Sequence, residues 1–542
     1  MMTDQLITPT RQFNHSQLYL NFLKNDPGLK KYLYRESPQQ AAENIGPSRV
    51  DRDTLCDVLV EQNKEFMSRP RAFGSIESLR QKDALCIFSG QQSGLFGGPL
   101  LTLFKAIDTV KRARMLEKQL DRPVVPVFWI ACDDHDFAEV NHTYYINSDG
   151  EPTRVSYEPA NVPPLPVSRL AFDDEDAFAH LAEEARLAFG GTDFSEELLN
   201  RISRAYAPGE SLTRAFAKLL SDILPDLGLV FFCPDNRVIK EISKDFFKRI
   251  VESYFRLKQA LKETSQNLEN DNYHIQAEKK ESAAHLFYHN PGREPIHYLD
   301  EAFHYGDKRV GLPAMLDLID RNPEDFSTDV LTRPLWQSYL FPVVAQIGGP
   351  AEIAYFCQIG GLFKLYDITQ PYYYPRVSAT IIEKRTEELF RKFNLKLSDL
   401  TGDIEQTINR MADESFPREI MKKMERFRKV LDDAYLVFEN DMVEFDDKLE
   451  PMSKQTYGKI DYAIKEYEKK IFAAHKRKMK DDRNQIYRMV HVAYPGGKLQ
   501  ERSLNINYFI SKYGFGVVDY IVDNLNVETT DHQMIYLSRY TG

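Results

Sequence analysis

Two short apolar runs, separated by a glycine-punctuated loop and one long helix, constrain this chain more than any other feature. Ala84-Leu85-Cys86-Ile87-Phe88 stops at Ser89-Gly90, and Val124 to Ala131 runs into Cys132-Asp133-Asp134-His135-Asp136. Runs this short and this apolar read as strands buried on both faces. Between them Gly90, Gly94, Gly97 and Gly98 mark a loop, after which Leu101, Phe104, Ile107, Val110 and Leu116 recur at helical spacing. Strand, loop, helix, strand is a βαβ unit, the opening of a doubly wound parallel sheet. A further strand is expected at Leu229-Val230-Phe231-Phe232-Cys233, and the apolar stretch Leu340 to Ile347 ends at Gly348-Gly349-Pro350.

The rest of the chain divides around that core. From Arg11 through Arg80 the sequence reads as helical and polar. Insertions are expected at about 140–225, where Pro163-Pro164-Leu165-Pro166 falls, and at about 265–328, a polar stretch rich in turn residues. Further on, Met424, Phe427, Leu431, Ala434 and Phe438 alternate spacings of three and four, as do Tyr457, Ile460, Ile464, Tyr467, Ile471 and Ala474. Pro451 lies between the two runs and is tolerated only in the first turn of a new helix. The pattern predicts two antiparallel helices forming a coiled-coil arm over about 418–480. The expected organisation is a Rossmann-like core over 1–380, a helical region over 381–500, and a tail over 501–542 packing on the core.

Composition removes several functions. A chain of 542 residues with 42% hydrophobic and 28% charged positions is globular and too long for one ordinary core. A net charge of -11 and a pI near 5.7 argue against nucleic acid as a partner. The basic run Lys476-Arg477-Lys478-Met479-Lys480 is followed by Asp481 and Asp482 and reads as a solvated helix face. No window approaches the roughly 20 apolar residues of a membrane span, and Met1 to Phe13 holds no signal-like stretch. The 5 cysteines are scattered, so the cytoplasm is the expected compartment, and Cys86, Cys132 and Cys233 read as small buried hydrophobes.

In open α/β sheets ligands bind beyond the carboxyl ends of the strands, which selects three segments here. The first is Gly90-Gln91-Gln92-Ser93-Gly94, a close-approach loop ahead of a helix N-terminus. The second is Asp133-Asp134-His135-Asp136, where crowding carboxylates would raise the histidine pKa and suit it to general acid or base work. The same residues could hold a divalent metal or simply cap a helix, and His142 would share the His135 helix face. The third runs from Thr332-Arg333-Pro334 to Gly349, Glu352 and Tyr355; Arg333 is suited to a bidentate grip on a carboxylate, or to a surface ion pair. Tyr372-Tyr373-Tyr374-Pro375-Arg376 follows as core or rim.

Taken together these segments resemble the family of the bacillithiol cysteine-adding enzyme. The residues carrying the likeness are Ser89 to Leu95 with Gly98-Pro99-Leu100 and Lys105, Pro126 to Ala131, Asp134-His135-Asp136, Glu139, Asn141, Thr332-Arg333-Pro334, Gly348 to Tyr355, and Pro375-Arg376. The resemblance implies a Rossmann-like core with connecting insertions and a C-terminal coiled coil that mediates homodimerisation. It also implies the last step of bacillithiol biosynthesis, ligation of L-cysteine through its carboxyl to the amine of glucosaminyl-malate. On that reading His135, Asp134, Asp136, Gln91 and Gln92 stand at the reaction centre. Gly90, Ser93, Gly94, Asn141, Thr332, Arg333, Gly349, Glu352, Tyr355 and Arg376 bind substrate, and no metal is called for.

An adenine nucleotide (ATP or ADP) is the one candidate cofactor. Class I nucleotidyl-transferring enzymes, which the fold also resembles, hold phosphates with a His-x-Gly-His loop and a Lys-Met-Ser-Lys-Ser segment. Here the corresponding loop reads Gln91-Gln92-Ser93-Gly94, without those histidines. The second segment has only a partial echo, Pro451-Met452-Ser453-Lys454-Gln455, which lies between the coiled-coil helices and not after the last sheet strand. Two alternatives therefore stand beside the ligase: a nucleotidyltransferase acting on another acid, and a non-enzymatic nucleotide-binding coiled-coil dimer.

Overall fold

The computed structural model describes residues 7, 8, 10, 13, 15–289 and 292–541. Most of Met1 to Phe13, read above as free of a signal-like stretch, lies outside the described residues, as does Arg11. The chain forms two compact units, one of Met1–Lys384 with Lys498–Gly542, the other of Arg385–Gly497. None of the described helices is long and apolar enough to cross a membrane.

The first unit is built on a parallel sheet. Strand β1 (Leu85–Gln91) leads through a loop into helix α1 (Leu100–Leu120) and back to β2 (Val124–Ile130). A short helix α2 (Phe137–Val140) and the hairpin β3 (His142–Ile146) and β4 (Pro152–Ser156) open the first insertion. It continues as α3 (Glu175–Phe189), α4 (Ser195–Ala205) and α5 (Leu212–Ile223) before β5 (Val230–Phe232). The second insertion is a separate antiparallel sheet: β6 (Ala283–His289), β7 (Arg293–Leu299), β8 (Ala302–Tyr305), β9 (Lys308–Val310) and β10 (Phe326–Thr328), in the order β9-β8-β7-β6-β10. Helix α6 (Arg333–Leu340), strand β11 (Val343–Gly348), helices α7 (Pro350–Gln358) and α8 (Gly360–Leu365), and strand β12 (Tyr372–Pro375) complete the core.

The parallel sheet runs β12-β11-β1-β2-β5. The chain builds outward from β1 in one direction, then returns to build outward in the other, so strand order reverses between β1 and β11. Every residue of β2 is buried, which is why its sequence is apolar without alternation. Pro126 is compatible with this interior strand because β5 pairs only with Val127–Trp129, leaving β2 without a second neighbour at Pro126. Trp129 and Trp336 pack edge to face with centroids 5.5 Å apart in the main core. All five cysteines are free and buried, and burial pushes the Cys132 thiol well above its ordinary pKa, so it stays protonated.

The tail folds back within the same unit. Strand β13 (Ala379–Ile382) pairs in parallel with β14 (His532–Tyr536), and the Asn505 amide donates to the carbonyls of Phe96 and Gly98 in the glycine loop.

In the second unit α9 (Arg418–Phe445) and α10 (Glu450–Lys478) are the two long helices, with Pro451 in the first turn of α10. Their facing residues differ from the expected seam. Met424, Leu431, Tyr457, Ile464, Ile471 and Ala474 are half-buried, but Phe427, Ala434, Phe438, Ile460 and Tyr467 turn outward. Aromatic and polar pairs share the interface with them: Tyr435 stacks on the seam residue Tyr457 with centroids 3.9 Å apart, and Arg428 bonds Asp461 at 2.5 Å. The straight alternation of apolar residues marked two faces of each helix, of which the hairpin covers one.

Candidate active site

The carboxyl ends of β1, β2 and β11 meet a cavity of about 330 Å³ at the point where strand order reverses. The antiparallel sheet of the second insertion closes it with Phe287, Arg293, Thr328 and Asp329. A Cβ at Gly90 would stand 2.5 Å from the Trp129 carbonyl oxygen, so only glycine lets β1 run this close to β2.

One wall is organised by Lys105, which reaches the strand end from the buried face of α1. Its Nζ donates to the Gly90 carbonyl at 2.8 Å, to Gln91 Oε1 at 3.1 Å and to Glu352 Oε1 at 3.1 Å. The other Glu352 oxygen accepts the Gly349 N–H at 2.7 Å, as N3 glutamates do at the start of a helix. Burial pushes the Lys105 ammonium below its ordinary pKa. Burial works the opposite way on Glu352, but Lys105 and the Gly349 N–H outweigh it and hold the carboxylate ionised.

The facing wall carries charge of both signs. Asp133, just beyond the end of β2, is 13% exposed, with Lys240 Nζ 3.6 Å from its Oδ1. Burial, with Asp235 nearby, raises its pKa despite Lys240. Arg293 Nη1 bonds Asp134 Oδ1 at 3.3 Å while its guanidinium lies 3.5 Å from the Phe287 ring centroid. Arg333, first residue of α6, directs Nη2 to the Tyr355 hydroxyl at 3.5 Å. The turn before it is fixed by Asp329, whose Oδ1 accepts the N–H groups of Leu331 and Thr332, each at 3.0 Å, and whose Oδ2 lies 2.9 Å from His285 Nδ1.

Of the residues proposed from sequence, Gly90, Gln91, Gln92, Asp134, Arg333, Glu352 and Tyr355 line this cavity together. The remainder stand outside its lining. Ser93 is buried with its hydroxyl 3.4 Å from Thr213, Gly94 packs against Gly98, and Thr332 donates to the His285 carbonyl. The Asn141 amide donates to the Tyr157 carbonyl at 3.1 Å. Gly349 and Arg376 lie behind Glu352, with Arg376 paired to the buried Glu501 at 2.6 Å.

The four residues after Cys132 diverge. Asp133 turns to Lys240 and Asp134 to Arg293, while Asp136 caps α2 through the Glu139 N–H at 3.3 Å. His135 is 56% exposed and lies 3.3 Å from Asp134. His142 does not share a helix face with His135, because α2 is one turn long and His142 already belongs to β3. The aromatic run is an edge strand, β12, whose last residue pairs with Gly348.

Sequence reasoning did not select Asp133 alone, Lys105, Arg293 or Asp329 for the site. Lys105 had a signal, a lysine within the apolar run Leu100-Leu101-Thr102-Leu103-Phe104. Arg293 and Asp329 had none, since they reach the cavity only through the folding of the antiparallel sheet.

Fold and site define an α/β protein of the Rossmann type with a mixed-charge cavity at its switch point and a helical hairpin in a second unit. The chain belongs to the bacillithiol biosynthesis BshC family: residues 1–377 match the description "Bacillithiol biosynthesis BshC, N-terminal Rossmann-like domain" and residues 379–537 the family's C-terminal coiled-coil domain. It is 30% identical over 508 residues to the "Putative cysteine ligase BshC" of Salinibacter ruber, covering 92% of each chain. The protein of the same name from Koribacter versatilis is 30% identical, with 95% of this chain and 96% of that one covered. That of Oceanobacillus iheyensis is 27% identical, with 98% and 99% covered.

Proposed function

We propose that this protein is a ligase that performs the last step of bacillithiol biosynthesis, joining the carboxyl of L-cysteine to the amine of glucosaminyl-malate. The observation that carries the reading is the meeting, in one cavity, of Arg293 and Arg333 with the largely buried carboxyl of Asp133. Arg333 and Arg293 suit the anionic malyl group, because a guanidinium fork matches a carboxylate. An amine must lose a proton to attack, and Asp133, made more basic by its burial, is placed to take it. Glu352 and Gln91, fixed by Lys105, offer acceptors for the cysteine ammonium. The names of the relatives support a ligase acting on cysteine.

The nucleotide is a separate matter. Gln92 bonds Glu139 and Ser93 faces Thr213, while Lys454 pairs with Glu450 and Ser453 bonds Tyr435. Each of these side chains is engaged within the chain, and the ATP dependence of the product tests an adenine nucleotide as activator.

The same proposal includes a homodimer through the hairpin. Phe427, Val437, Phe438 and Tyr467 are 54%, 64%, 60% and 62% exposed, an apolar surface that a second copy would cover.

Mass spectrometry of the purified protein with L-cysteine and glucosaminyl-malate, with and without ATP, tests the chemistry. The expected product is one water lighter than the summed substrates, and Asp133→Asn and Arg333→Ala should each cut its rate roughly 100-fold. Absence of the conjugate under both conditions overturns the reading; dependence on ATP would identify the activation route.

A further inference from the structure

A second cavity, of about 650 Å³, opens at the opposite end of the sheet, where β11 begins. Its walls are the turn from Ser338 to Val343, the loop at residues 44–49, and the residues that close α8. Three cations line it, Arg35, Arg49 and Lys364. The single carboxylate on the lining is Asp367, whose side chain is 93% exposed.

The cations are poorly matched within the chain. Arg49 bonds the Asp367 carbonyl and lies 3.5 Å from its carboxylate. Lys364 sits over the Tyr34 ring, 3.6 Å from its centroid. Among the described residues neither Lys364 nor Arg35 has a carboxylate within 4.0 Å. In addition, Arg35 Nε and the Ser338 hydroxyl are buried without a hydrogen-bond partner. In a chain of net charge -11 this is a local reversal, a concave surface that is cationic and short of acceptors.

We propose that this cavity binds a small molecule bearing a phosphate group, with the phosphate oxygens against Arg35 and Lys364. A doubly charged oxyanion complements a lining with three cations and one carboxylate, and guanidinium and ammonium are the usual phosphate partners. The volume exceeds what inorganic phosphate needs and falls in the range of about 300–1,000 Å³ typical of small-molecule sites. Tyr339 and Phe363 provide the apolar wall for the remainder of such a ligand. Helix α6 serves both cavities: Arg333 and Gln337 line the first, Ser338 and Tyr339 the second. A ligand here would therefore press on the same helix that aims Arg333.

Calorimetric titration of the full chain with inorganic phosphate as the probe, at low ionic strength, tests the site. The expected result is saturable binding that weakens roughly tenfold or more in Arg35→Ala and in Lys364→Gln, and is unchanged in Arg333→Ala. Lys364 is exposed, so its variant keeps the test valid should Arg35→Ala not fold. Malonate in place of phosphate distinguishes a carboxylate ligand, and equal affinity for it would overturn the phosphate assignment. No binding, or binding lost in Arg333→Ala and kept in Lys364→Gln, would overturn the site itself.

Discussion

The sheet and the helical hairpin obey the same sequence logic and end in opposite states. In β2 every residue is buried, and Trp129, Phe128 and Ile130 are at most 2% exposed. In α9 and α10 every residue is at least partly exposed, although their apolar positions recur just as regularly. An apolar strand in a doubly wound sheet is covered by the helices that its own connections supply. An apolar stripe on a two-helix hairpin is covered only where the partner helix faces it. Here the stripe residues Met424, Leu431, Tyr457 and Ile464 are half-buried while Tyr435, Arg428 and Asp461 take up part of the facing surface. Periodicity thus reports that a face must be buried, and says nothing of whether the same chain does the burying.

The largest effect that would break this contrast lies in the core. Trp336 is fully buried and its indole N–H donates to Ser243 at 2.7 Å. Trp336→Ala should lower unfolding free energy by about 3–5 kcal/mol in urea titrations. Phe438→Ala, an equally aromatic change in the hairpin, should shift it by no more than about 0.5 kcal/mol when measured on the isolated monomer. Equal losses at the two positions would show that the hairpin hides its apolar face after all.

Acid should find the core next. His532, the first residue of β14, is buried and bonded through both ring nitrogens to Ser378 and Thr380 at 2.7 and 2.8 Å. Burial lowers its pKa to about 4, with Arg376 adding to the effect and Glu501 opposing it. In the unfolded chain the ring titrates near 6.5, so above that pH neither state gains a proton and the contribution is fully present. As pH falls from 6.5 towards 4 only the unfolded state binds the proton, and stability drains away. Unfolding at pH 7 and at pH 4.5 should differ by roughly 2–3 kcal/mol more in the parent than in His532→Gln. An unchanged difference would mean that other groups carry the acid sensitivity.

What the sequence made legible follows from range. The parallel strands and the glycine loop are local patterns, and Gly90, Gln91, Asp134, Arg333 and Glu352 come together because the strand-end rule converts local position into shared location. The second insertion was legible only as polar and turn-rich, because antiparallel pairing such as Phe287 with Pro295 is set by partners distant along the chain. That sheet supplies Arg293 and leads into Asp329, so these two charged groups of the cavity were invisible beforehand. Asp133 was visible but indistinguishable from Asp134 and Asp136. Their separate roles depend on Lys240, Arg293 and the Glu139 N–H, none of which spacing can announce.

The smallest expected effect on the single chain is the sharpest test of the hairpin. Phe427 and Phe438 face outward at 54% and 60% exposure, and a second copy laid on that face would remove them from water. Fully burying a phenylalanine side chain contributes about 1.5–3 kcal/mol, so replacing both by aspartate removes that gain and adds charge to the dimer surface. Sedimentation of Phe427→Asp/Phe438→Asp should therefore show a monomer, against the dimer proposed for the parent. The monomer should unfold within about 0.5 kcal/mol of the parent's dissociated chain, because these side chains touch little within it. If the variant remains dimeric, the outward face is not the contact; if the single chain itself unfolds, the stripe is packed internally and the contrast with the sheet fails.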